Sequence, residues 1–168
     1  FEKIYLMAGY KGKQIKKKYN NKKILFSKIV VKIEKKPMGT AGCLTQLKKE
    51  INSDFLLLNG DSFFDLNLNN FIQKSLKCLK GNKIISMALT KSKNYKSNKK
   101  LSNLIIGKNN IVKMNKNNNC LMNGGIYLLK KEIFNFLKTN RSLEDEIINK
   151  KISQNQVIGF KYENYFID

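Results

Sequence analysis

Histidine and tryptophan are absent from these 168 residues, arginine and proline occur once each, and cysteine occurs three times. Each shortage excludes something. Without histidine there is no Ser-His-Asp triad, no Cys-His pair and no two-histidine zinc site. Chemistry must therefore rest on carboxylates, lysines, backbone amides or a bound metal. Cys43, Cys78 and Cys120 lie 35 and 42 residues apart, an odd number without C-x-x-C spacing. That pattern fits neither a disulfide framework nor a zinc site, and points to a reducing cytoplasm. No apolar run approaches the roughly 18 residues that mark a membrane span. The first residues, Phe1-Glu2-Lys3-Ile4-Tyr5, lack a signal core and an initiator Met. The sequence is expected to be a cytoplasmic piece of a longer protein with no membrane partner.

Acidic residues are also scarce: 12 Asp+Glu stand against 33 Lys+Arg, a formal net charge of +21. Clustered cations gain affinity for phosphate backbones by releasing counterions. Here all cations but Arg141 are Lys, spread from Lys3 to Lys161, whereas base readout favours the planar fork of Arg. Lys, Asn and Ile are abundant while Ala, Pro and Arg are rare, the signature of an AT-rich coding sequence. Nucleic acid is not an expected partner. The densest clusters, Lys16-Lys17-Lys18 and Lys96 to Lys100, suit attraction of an anionic substrate by field alone.

What is present reads as one α/β domain with right-handed crossovers. Strands are expected at 3–8, 29–33, 55–58, 84–89, 124–129, 157–160 and 165–167, with a hairpin over 104–114 turned by Lys-Asn-Asn. Helical spacing marks 14–19, 41–51 (Ala41, Leu44, Leu47, Ile51), 68–79, 132–137 and 142–150. Thr40 is a plausible N-cap, and Ser142-Leu143-Glu144-Asp145 reads as a capping box. Phe55-Leu56-Leu57-Leu58 is wholly apolar, as expected of a strand buried on both faces of a parallel sheet. Residues 91–102 and 115–119 read as polar loops.

Ligands in open α/β sheets bind beyond the carboxyl ends of the strands. Asp61 follows such a strand through Asn59-Gly60 and suits a hard oxygen ligand for Mg²⁺, although an Asp that merely caps a turn explains it equally well. Asp168 ends another strand. Two carboxylates on neighbouring strand ends, with substrate phosphates, hold Mg²⁺ far better than one. Glu34-Lys35-Lys36-Pro37-Met38-Gly39-Thr40-Ala41-Gly42 joins a strand to a helix and offers amides to an anion or polar ring. Asn123-Gly124-Gly125-Ile126-Tyr127 permits close approach of a ligand, or equally a β-bulge.

In this order, together with Gly9-Tyr10, Phe63-Phe64-Asp65, Ser142-Leu143-Glu144-Asp145 and Tyr165-Phe166-Ile167-Asp168, the segments resemble the sugar-phosphate nucleotidyltransferases. Within that family the chain is most similar to the D-glycero-D-manno-heptose 1-phosphate guanylyltransferase branch. The resemblance implies a Rossmann-like fold with a mostly parallel central sheet, residues 1–168 forming a single partial domain truncated at both ends. It implies transfer of a nucleoside monophosphate from a nucleoside triphosphate to a sugar 1-phosphate with pyrophosphate release, making nucleotide sugars for cell-surface polysaccharide. It also implies roles: Asp61 and Asp168 hold the catalytic Mg²⁺, Pro37, Gly39 and Thr40 belong to the turn against the base, and Glu34 reads the base. A carboxylate accepts two hydrogen bonds from guanine N1–H and its amino group, which favours GTP. Asn123 and Gly124 match the segment bordering the sugar, and Lys116 the lysine that contacts its phosphate.

Departures accompany the match. The family's glycine-rich loop and Pro-Lys-Pro segment do not precede Phe1, and Asn115-Lys116 stands where Glu-Lys is the family pattern. The residues given are therefore expected to turn over little on their own. The rivals are a nucleotide-sugar-dependent glycosyltransferase, whose D-x-D pair is lacking because Asp61 and Asp65 are four apart, and a noncatalytic nucleotide-sugar binding module.

Overall fold

The computed structural model describes residues 1–91, 103–115, 120–138 and 141–167. In chain order the strands are β1 (Lys3–Ala8), β2 (Lys23–Ile24), β3 (Ser27–Ile33), β4 (Phe55–Leu58), β5 (Phe63–Phe64), β6 (Ile85–Thr90), β7 (Leu104–Ile106), β8 (Val112–Met114), β9 (Met122–Leu129), β10 (Val157–Tyr162) and β11 (Phe166–Ile167). The α-helices are α1 (Gly12–Tyr19), α2 (Gly39–Leu44), α3 (Leu68–Cys78) and α4 (Asn149–Ser153). The Lys91–Ser102 and Asn115–Asn119 loops expected from sequence fall largely outside the described residues.

The α/β class holds, and strand direction is mixed where a mostly parallel sheet is the expectation. The central sheet runs β10-β6-β9-β4. Only β10 and β6 are parallel in it; β9 is antiparallel to both β6 and β4. The reason is connection: β9 follows the β7–β8 hairpin, and a strand reached from a hairpin needs no helical crossover and can enter in the opposite sense. The second sheet, β1-β3-β2, pairs β1 with β3 in parallel and β2 with β3 antiparallel.

Period-two alternation divides the core. Met87, Leu89, Tyr127, Leu129 and Val157 face one side of the central sheet with Leu104, Ile133 and Ile148. Ala88, Ile126, Leu128 and Ile158 face the other with Phe64 and Phe71. There α3 packs, and the Ser75 and Ser86 hydroxyls satisfy each other at 2.7 Å inside the core. β6 is buried along its whole length. β4 is not the doubly buried strand its composition suggests: among the described residues it pairs only with β9, and Leu58 is exposed.

Helical spacing locates the other elements better than it fixes their type. Instead of one helix to Ile51, α2 tightens into a 3₁₀ turn at Thr45–Leu47, where the Thr45 hydroxyl donates to Gly42 O at 2.6 Å. The 132–137 helix is a 3₁₀ segment, Lys131–Asn135. The 142–150 helix opens as a π-helical turn, Leu143–Ile148, before α4.

Gly159 in β10 has no room for a side chain: an added Cβ lies 2.6 Å from Val112 Cγ2 and 2.7 Å from Leu89 Cδ1. Overpacking of this kind costs about 1–3 kcal/mol. Gly159→Ala is expected to lower the unfolding free energy by that amount, read as a lower urea midpoint at unchanged m; an unchanged midpoint would show that Val112 and Leu89 yield freely.

Candidate functional site

Antiparallel pairing of β4 with β9 sets Leu58 opposite Ile126, and Asn59 N–H continues the ladder to Gly125 O at 2.9 Å. The chain then leaves the sheet at Gly60, so Asp61 stands exposed just past the strand's carboxyl end. β11 pairs antiparallel with β5, bringing Phe166 opposite Phe64 and Ile167 opposite Phe63. Two strand ends flanked by aspartates in the sequence thus converge, although Asp168 itself lies outside the described residues. Lys116 does too.

The glycine pair in β9 makes a bulge. Pairing with β6 shifts register between Met87–Tyr127 and Leu89–Asn123, and Gly125 takes the left-handed conformation at φ +69°, which glycine adopts without steric cost. Gly124 serves packing: the Phe64 ring occupies the place of a Cβ, 2.5 Å from its ideal position. Asn123 is held from both ends of its amide. Its Oδ1 accepts from Gly125 N–H at 3.1 Å, and its Nδ2 donates to the Tyr127 hydroxyl.

The 34–42 loop is shaped from within and from across the fold. Glu34 accepts from Met38 N–H at 3.2 Å, which closes the turn over exposed Lys35, Lys36 and Pro37. Gly39 is left-handed at φ +72°, and a Cβ there would sit 2.6 Å from the Arg141 carbonyl oxygen. Ala41 N–H donates to that same oxygen at 3.0 Å.

Thr40 does not cap its own helix, whose N-cap position is Met38. Its hydroxyl accepts from Leu143 N–H at 2.7 Å and donates to Glu144 Oε2 at 3.0 Å. Leu143 is the first residue of the turn after Ser142, so Thr40 satisfies an orphan donor of a helix 103 residues away. Ser142 caps that turn as its sequence suggests, accepting from Asp145 N–H at 3.1 Å. The return bond to Ser142 N–H comes from Glu146, at 3.4 Å, and Glu146 also pairs with Arg141. Glu144, which no residue-by-residue reading singles out, completes the cluster: its Oε1 accepts from the Tyr127 hydroxyl at 3.4 Å. The signal for it was an acid in a capping-box pattern, which by itself says only helix start.

The sequence profile of the nucleotidyl transferase family matches residues 1–161. The chain belongs to that family. It is 30% identical over 172 residues to the D-glycero-alpha-D-manno-heptose 1-phosphate guanylyltransferase of Campylobacter jejuni, covering 99% of this chain and 73% of that one. It is 31% identical over 182 residues to the bifunctional protein GlmU of Methanococcus aeolicus, spanning 99% of this chain but 40% of the longer protein. Among solved structures, HddC from Yersinia pseudotuberculosis superposes with a TM-score of 0.75 at 24% identity, over 99% of this chain and 72% of that one. Its complex with GMP-PN gives 0.73 at 24% identity, over 98% and 71%. The expected Rossmann-like nucleotidyltransferase fold is thereby borne out. Among the described residues no helix is long and apolar enough to cross a membrane.

Two expectations follow for the loop. Gly39→Ala forces a side chain into a left-handed backbone against Arg141, a strain of about 1–3 kcal/mol, and should lower the unfolding midpoint accordingly. Burial, and then the Glu34 carboxylate, push the Cys43 thiol up to about 11 from 9.0. Because the folded state favours the protonated thiol, the stability Cys43 contributes is complete below pH 9 and is lost as the pH rises towards 11. Iodoacetamide should accordingly label Cys43 slowly at pH 8 and faster as pH 11 is approached, followed by peptide mass spectrometry.

Proposed function

We propose that this protein transfers GMP from GTP to a sugar 1-phosphate, heptose or mannose in type, with release of pyrophosphate, in the cytoplasm and in the service of cell-surface polysaccharide. Residues 1–168 are taken as one partial nucleotidyltransferase domain. The observation that carries this reading is the convergence of the β4 end at Asp61 with the strand ending at Ile167. Membership in the nucleotidyl transferase family and the likeness to a heptose 1-phosphate guanylyltransferase support it.

In this reading Glu34, Pro37, Gly39 and Thr40 hold the guanine, with the Glu34 carboxylate as acceptor for its N1–H and amino group. Asn123 and Gly124 border the sugar, and Lys116 contacts its phosphate. Asp61 fits a role as metal ligand, being an exposed hard carboxylate just beyond a strand end; Asp168 is its proposed companion. When bound there, Mg²⁺ supplies charge neutralisation to the phosphates. A sugar-phosphate oxygen attacks the α-phosphorus in line, the bond to the β-phosphate oxygen breaks, and pyrophosphate leaves with that electron pair. The chain's part is to orient the two anions and, through its lysines, to offset their repulsion.

The test is pyrophosphate release by the protein in its complete reading frame, with Mg²⁺, heptose or mannose 1-phosphate and each nucleoside triphosphate in turn. Release is expected with GTP, and Asp61→Asn should cut it by about 100-fold, the scale of losing one electrostatic stabiliser. Release with another triphosphate alone would overturn the base assignment. Absence of release with all of them would leave the binding-module reading in its place.

A further inference from the structure

The hydrogen bonds around Glu144 have a fixed direction. A backbone N–H only donates, so Gly125 N–H dictates that the oxygen of the Asn123 amide faces it, at 3.1 Å. The amide nitrogen therefore faces Tyr127 and donates to its hydroxyl. Leu143 N–H likewise obliges Thr40 Oγ1 to accept, at 2.7 Å. Each hydroxyl then has its single proton left to give, and both protons go to the same carboxylate: Thr40 to Oε2 at 3.0 Å, Tyr127 to Oε1 at 3.4 Å. A carboxylate accepts at both oxygens. A glutamine would offer one acceptor and turn N–H groups towards a hydroxyl proton already pointing inwards.

The two ends of this relay belong to segments with different tasks under the proposed function. Thr40 lies in the loop assigned to the base, and Asn123 in the strand assigned to the sugar. The link is uneven: 3.4 Å is long for an O–H···O bond, whereas 3.0 Å is near the usual range. Catalytic hydrogen bonds that are loose without ligand commonly tighten when the site fills. Tyr127 is fully buried, so its ring cannot move far and the slack is taken up by Glu144 and the loop.

We propose that Glu144 is a positioning residue that joins the base loop to the sugar strand, so that filling one half of the site pre-orders the other. The inference rests on the assignment of Thr40 to the nucleotide and Asn123 to the sugar. When a nucleotide fixes Thr40, the carboxylate is fixed with it, and the Tyr127–Asn123 arm loses its freedom before the sugar phosphate arrives. The ordering cost is then met once for two ligands. By linkage the effect is reciprocal.

The experiment measures affinity for a GTP analogue with a methylene group between the α- and β-phosphorus, which binds without transfer. Titrations with and without saturating heptose or mannose 1-phosphate give the coupling. The full-length protein should bind the analogue roughly 5–10-fold more tightly with the sugar phosphate present, a common size for linkage between sites. In Glu144→Gln and in Tyr127→Phe that ratio should fall to near one. Tyr127→Phe keeps the buried ring and removes only the hydroxyl, so it guards against a folding defect in the other variant. A ratio retained in both variants overturns the proposal. A ratio of one in the unaltered protein that still releases pyrophosphate also overturns it, and leaves the guanylyltransferase reading standing. No analogue binding and no release overturns both.

Discussion

Strand β9 is the constraint on which the rest of the site depends. Antiparallel ladders on both sides fix it between β6 and β4, and each functional segment takes its position from it. The β4 ladder runs on to Asn59 and so determines where the chain turns out towards Asp61. The flattened surface at Gly124 lets the Phe64 ring lie against the strand, which seats β5 and, through β5, the β11 strand that precedes Asp168. Tyr127 reaches from the same strand to Glu144 and, through it, to Thr40. One bulged strand thus registers the proposed metal end, sugar segment and base loop against one another.

The Gly39–Arg141 contact does the complementary work for the 34–42 loop. The backbone of the 34–42 loop meets the backbone of residue 141 with no side chain between them, and Thr40 supplies a hydrogen-bond acceptor that the turn after Ser142 otherwise lacks at Leu143. A hydrogen bond of this type contributes about 1 kcal/mol net, and leaving its donor buried and unpaired costs more. The loop and the helix start therefore stabilise each other, and neither has its observed shape on local sequence alone.

Much of the architecture was legible in the residues. Short apolar runs bounded by turn residues located β6, β9 and β10, where burial on both faces demands such runs, and located the edge strand β4 as well; the helical spacing of Leu68, Phe71, Ile72 and Leu76 located α3. Strand direction was not legible: nothing in Gly124 to Leu129 distinguishes a parallel from an antiparallel neighbour. The exposure of β4 escaped for a related reason, since composition records how apolar a strand is and not how many partners it has. The candidate site was legible as segments through their likeness to a family, while the connections within it were not. Thr40 looked like a cap for the helix that follows it and proved to serve one about a hundred residues on, a long-range pairing that local spacing does not encode. Glu144 was hidden for the same reason, its neighbours Thr40 and Tyr127 being distant in sequence and in different elements.

The long reach of that contact bears on the order in which the molecule is built. The restraints on Gly39 and Thr40 come from Arg141, Leu143 and Glu144. On a ribosome, the loop emerges long before the residues that lock it, and its left-handed glycine has nothing to lean on in the interval. Contacts between distant parts of a chain form late because the intervening segment must first be ordered. The 34–42 loop is therefore among the last features to set, and the nucleotide recognition proposed for it becomes a late report that the carboxyl-terminal part of the domain has folded onto the amino-terminal part.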